Sequence, residues 1–253
     1  MKKMLASILA IIMTLSFVPV ASALEVHSHE ISNKCLTNSG NQQLFEVPLS
    51  NDYIDAIDGK FIGGTYYLVE DIVIDNIHEW ITICEGETVI CLNGYDIISN
   101  VSQKGEEVPA IEVFEEGKLT ICDCKGDGKI QTAGIGVIVY GCFDMYDIDV
   151  VADYRCVHVV DNGEFNMYGG RMRATDYAVV VFGVDGSANL YGGVIGGSKI
   201  WSCTDGTIKE LGVKICNDLC HVDGYVGFFW LFIAFFCKIL GIYPECACGA
   251  THY

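Results

Sequence analysis

The chain has 253 residues, and 33 acidic against 15 basic side chains leave it a formal charge of −18. So negative a surface repels phosphate backbones, which sets nucleic acid aside as a partner. About half of the residues are apolar, so composition does not make the chain disordered.

In chain order, Lys2 and Lys3, the apolar run from Leu5 to Val20 and the small triplet Ala21-Ser22-Ala23 have the layout of a secretory signal peptide over residues 1–23, with a mature start at Leu24. Thirteen cysteines in an exported protein point to disulfides or metal, and the odd count leaves one thiol over if the others pair within the chain. Residues 24–64 read as a polar leader. His27, His29 and Cys35 lie in it, but no further ligands follow at close spacing. From Thr65 to Ile74 short alternating runs of β-branched and aromatic residues read as strands.

The following stretch repeats itself. Gly117-Lys-Leu-Thr-Ile121, Gly141-Cys-Phe-Asp-Met145, Gly163-Glu-Phe-Asn-Met167 and Gly186-Ser-Ala-Asn-Leu190 align, with glycines 24, 22 and 23 residues apart. An earlier copy starts at Gly86, separated by a polar insert from Asn100 to Glu107. Side chains two apart in a strand share a face. Leu119, Phe143, Phe165 and Ala188, with Ile121, Met145, Met167 and Leu190, are therefore expected inside, and Thr120, Asp144, Asn166 and Asn189 outside. A second strand carries Ile111, Val113, Val137, Val139, Val157, Val159, Val179 and Val181 inward, and a third includes Met172 and Ile195. Three strands per period predict an all-β fold: a right-handed, single-stranded parallel β-helix of about 22 residues per rung over 65–200, with a small helical appendage over 201–253. A β-sandwich also has short strands at regular spacing, but it does not normally repeat the same apolar positions at a fixed period.

Several of these stretches resemble a known family. The run Tyr66 to Asp71, Val89 to Gly94, Leu119 to Cys124, the Phe165-Asn-Met-Tyr-Gly-Gly170 turn and the cysteine-rich end (Cys216 to His221, then Cys246 to Tyr253) look like exported Gram-positive bacterial proteins carrying a β-helix of the pectin-lyase-like type. The resemblance implies a secreted or cell-surface location and contact with glycans or the cell envelope. It supplies no catalytic set.

The outer face offers two chemistries. Asp144, Asp147 and Asp149, with Asp153 nearby and Arg171 and Arg173 one rung later, are the candidate acids, bases and cation of a polysaccharide lyase or glycoside hydrolase. Asp149 and Arg171 share a register, which also fits a plain cross-strand ion pair. Alternatively, Asn166 and Asn189 beside Tyr146, Tyr168 and Tyr191 make a lane of amides and aromatic rings on which a sugar could lie. His158 is expected to be a surface histidine between Ile138 and Val180. Cys91 and Cys122 occupy the tyrosine register one rung apart, about 4.8 Å between β-carbons, where either a disulfide or two packed thiols fits.

The C-terminal end carries Cys216, Cys220 and His221, then Cys246, Cys248 and His252. Two short ligand groups flanking an insert fit a structural zinc site, and disulfides fit equally. Between them residues 225–243 are apolar on all faces. Three roles remain open for this segment: capping the solenoid, lying on a membrane surface or protein partner, or spanning a membrane. The functional expectation is a scaffold or adhesive protein that binds glycans, with a lyase or hydrolase as the alternative.

Overall fold

The alternation of apolar and polar residues winds the chain into a parallel β-solenoid of about seven turns, with roughly 23 residues per turn. The computed structural model describes residues 47–101, 108–196, 199–203 and 206–216, together with a short antiparallel pair, 27–28 with 44–45. Residues 1–23, read above as a signal peptide, residues 225–243 and the candidate ligands Cys220, His221, Cys246, Cys248 and His252 lie outside the described residues.

Three faces make up each turn. Ile72–Ile74, Ile97–Ser99, Lys129–Thr132, Asp149–Ala152, Arg171–Ala174, Val194–Gly196 and Lys214–Cys216 pair in parallel as a seven-stranded sheet. A thirteen-stranded sheet supplies the other two faces. The valine face contains Ile135–Val139, Arg155–Val160, Tyr177–Phe182 and Lys199–Cys203. The marker face, on which each strand follows a repeat glycine, contains Cys142–Tyr146, Glu164–Met167, Ser187–Leu190 and Thr207–Glu210. Ile81–Cys91 and Pro109–Cys122 belong to both faces, running round the corner as single long strands with one register shift near residue 84.

The core sits inside the coil in rows along its axis. The expected inward residues of both faces, from Leu119 to Leu190 and from Ile111 to Val181, are fully buried, and the Phe143 and Phe165 rings stack with centroids 5.3 Å apart. The seven-stranded sheet adds an aliphatic row through Ile72, Ile97, Ile130, Val150, Met172 and Ile195. Beside it runs a row that shrinks from Ile74 through Ser99 and Thr132 to Ala152 and Ala174.

The solenoid is longer than the expected 65–200. Val47–Leu49 and Lys60–Phe61 already pair into the thirteen-stranded sheet, within the stretch read as leader. A helix, Asn51–Ala56, interrupts the strand pattern there. Ser50 caps it by accepting from the Tyr53 amide, and Tyr53, Ile54 and Ile57 pack against the core. At the other end Thr207–Glu210 and Lys214–Cys216 add a further turn. Gly206 is its marker, but an exposed Glu210 stands where earlier rungs carry Met or Leu, and that hid the repeat.

Candidate functional site

The marker face presents three outward rows, because strand residues one, three and five places after each glycine share the outer side. The first row is Glu87, Lys118, Cys142, Glu164 and Ser187; the middle one is Val89, Thr120, Asp144, Asn166 and Asn189; the third begins with Tyr67, Cys91, Cys122 and Tyr146. Tyr168 and Tyr191 continue the third row by stacking. The ring of Tyr168 lies 4.5 Å from Tyr146 and 5.0 Å from Tyr191, within 8° of parallel.

The middle row faces outward as expected, yet it is scarcely exposed: Asn166 is 6% and Asn189 9% accessible. Its polar atoms are turned along the axis. Asn189 Nδ2 donates to Asn166 Oδ1 at 3.0 Å, and Asn166 Nδ2 donates to Asp144 Oδ1 at 2.9 Å and to Glu164 Oε1 at 3.0 Å. Lys118 closes the chain, with Nζ 3.5 Å from Asp144 Oδ2 and 3.1 Å from Glu87 Oε1. Burial, then the carboxylates of Asp144 and Glu164, pushes the Cys142 thiol of the first row up to about 12. Burial likewise raises the Tyr146 phenol well above the usual tyrosine range.

The four candidate acid, base and cation residues do not converge. Asp144 belongs to the ladder just described. Asp147 adopts a left-handed turn (φ 48°) with its carboxylate against Gly169 of the next rung, where a Cβ would collide with it. Asp149 stands on the seven-stranded sheet, opposite Arg171 in register, and accepts from Arg171 Nε at 3.0 Å on both oxygens.

Tyr168 and Tyr191 remain accessible, at 37% and 45%. Each ring covers its neighbour's face, so the row shows solvent its edges and hydroxyl ends. Beside it runs the ladder, scarcely exposed and with its amides bonded to one another.

Sequence reasoning missed two clusters. On the valine face His158 has Ile138 and Val180 as register neighbours, but it is 8% exposed rather than a surface residue. Arg155 Nη1 approaches its Nδ1 at 3.3 Å, donates through Nη2 to Tyr154 Oη at 2.6 Å, and pairs with Asp176 at 3.8 Å. An arginine only donates, so His158 Nδ1 accepts in this geometry. Arg155 lies three residues before His158 on the same strand, so strict alternation would set the two on opposite faces and does not reveal their contact. The second cluster surrounds Cys91 and Cys122, which pair in register as expected, with Asp123 and Cys124 at the same corner. The Cys-x-Cys spacing of Cys122 and Cys124 was its visible signal.

Comparison of the chain with protein-family models, curated proteins and solved structures returned no match. The fold and this face therefore define a class only: a parallel β-solenoid with a tyrosine row and a polar ladder along one side.

Proposed function

We propose that the protein is an exported or cell-surface solenoid scaffold that adheres to glycan through its marker face. The observation that carries this reading is the stacked tyrosine row, in which Tyr168 and Tyr191 stay accessible on successive rungs beside the Asp144, Asn166 and Asn189 ladder. An extended sugar chain laid along the axis meets a tyrosine on each of the two rungs that carry Tyr168 and Tyr191. Phenol hydroxyls offer it hydrogen bonds, and the outer ring faces and edges offer apolar contact. The signal-peptide layout and the resemblance to exported proteins support the location.

The alternative, a lyase or hydrolase, receives less support. Asp144, Asp147 and Asp149 are each taken up by a different structural contact, and a glycosidase needs two carboxyl groups converging across one bond.

A glycan array probed with the mature protein tests the reading, followed by the Tyr168→Ala/Tyr191→Ala pair. The expected result is retention on one glycan class without turnover, reduced at least about tenfold by the pair, equivalent to about 1.4 kcal/mol. Absence of retention on every glycan, or release of reducing ends or unsaturated products, overturns it.

A further inference from the structure

Where the marker face turns into the seven-stranded sheet, the rungs ending in Cys91 and Cys122 bring three donor atoms together. One sulfur each from Cys91 and Cys124 and an oxygen of Asp123 lie within 4.8 Å of one another. Cys91 and Asp123 are fully buried, Cys122 is 2% exposed and Cys124 is half-buried. Tyr67 and Tyr146 close the row on either side, packed in one cluster with Cys91, Cys122 and Cys124.

Asp123 is the unusual member. Its Oδ1 accepts from the Gly94 and Lys125 amides at 2.9 and 3.1 Å, and its Oδ2 from the Gly128 amide at 2.7 Å. Three amides from two successive rungs thus fix the carboxylate. A carboxylate offers about four lone-pair directions, so one remains. Full burial of the group is costly unless its charge is met. The three amides already stabilise the carboxylate, and a cation on the remaining lone pair would add to them.

We propose that Cys91, Asp123 and Cys124 form a binding site for a thiophilic divalent cation of the zinc type. The ion bonds sulfur at ~2.3 Å and prefers a tetrahedron, which sets its sulfurs ~3.8 Å apart. The donors therefore need to close by no more than about 1 Å. Each ligating thiol gives up its proton on binding, and two thiolates with one carboxylate leave the loaded site with a single net negative charge. The half-buried Cys124 is the side from which an ion enters. The site is independent of glycan binding, and it is separate in sequence from the Cys216 to His252 group.

The test uses the full mature chain, reduced and metal-free, titrated with Cd2+ alone as the probe, with bound metal counted by elemental analysis and thiolate ligation read from the ultraviolet sulfur-to-cadmium band. The Cys91→Ser/Cys124→Ser chain is expected to bind one equivalent fewer than the wild type and to lose the corresponding part of the band. Cys124→Ser alone, at the half-buried position, guards against a folding defect. It should keep the wild-type circular dichroism spectrum and bind at least about tenfold more weakly. Equal stoichiometry and band intensity in all three chains overturns the proposal. So does a peptide map of the non-reduced protein that joins Cys91 to Cys122 or Cys124.

Discussion

The side-chain amide of Asn189 donates to Asn166 Oδ1 across 3.0 Å on the neighbouring rung, and that contact gives the Asn166 amide its direction. Asn166 then serves three partners at once, Asp144, Glu164 and Asn189, whereas Asn189 ends the ladder. Asn166→Ala strands a buried acceptor and a buried donor, so it should cost about 2 kcal/mol, and Asn189→Ala only about 1 kcal/mol. Urea denaturation of the two variants measures the difference. Equal costs would show that the row is not a directional chain.

The pairing of Asp149 with Arg171 is more modest in energy. Both side chains are substantially exposed, 30% and 65%, so solvent screens their attraction. Asp149→Asn is expected to lower stability by less than about 1 kcal/mol, and the difference should shrink further in high salt. A loss several times larger, unaffected by salt, would mean that the pair is buried by something beyond the described residues.

Inside the coil the scale changes. The Phe165 ring is fully buried and stacked on Phe143, and a solenoid rung has little freedom to collapse around a hole because its neighbours on both sides fix its height. Phe165→Ala should cost about 3–5 kcal/mol. The unfolding midpoint in denaturant is the readout.

Alkaline pH should weaken the fold well before the tyrosines of the unfolded chain ionise. Burial raises the Cys142 and Cys156 thiols to about 12 in the folded chain, against ~8.5 in an unfolded one. The folded state then holds protons that the unfolded state releases, so stability falls as pH rises. This contribution is complete below pH ~8.5 and is lost progressively up to about pH 12. Denaturation midpoints measured from pH 7.5 to 10 should decline, and Cys156→Ala should flatten the slope. An unchanged slope would mean that the thiol is not held protonated by burial.

Gly170 marks a corner that tolerates no side chain. Its φ is +82°, and a Cβ there would meet the Ile148 carbonyl oxygen of the previous rung. Gly170→Ala combines a left-handed backbone with that collision, and a loss of at least about 2 kcal/mol is expected, measurable as a lowered thermal midpoint.

The architecture was legible because the constraint that produces it is periodic. Phe143, Phe165 and the valine pairs recur at one spacing, and each must face the same interior. The ends were not legible, for local reasons: Tyr53 and Ile54 reach the core from a helix rather than a strand, and Glu210 occupies a core register on the last described rung. The site was half legible. Alternation puts Asn166 and Tyr168 on the outer side, but whether an outward residue meets solvent depends on the bulk of the rows beside it. The contact of Arg155 with His158 depends on side-chain reach rather than pattern. The cysteine corner needs residues from two rungs, so only the register of Cys91 with Cys122 could be read in advance.

The two long strands that turn the corner between the marker and valine faces bear on how the molecule comes apart. Where other rungs change face through a break in the ladder, Ile81–Cys91 and Pro109–Cys122 stay hydrogen-bonded to each other through the bend. A solenoid peels from its ends, one turn after another, because each turn is held only by its neighbours. Stretched between its termini, this one should unravel inward and halt at that pair, making the amides of Ile81–Cys91 and Pro109–Cys122 the slowest to exchange with solvent and those strands the last to yield.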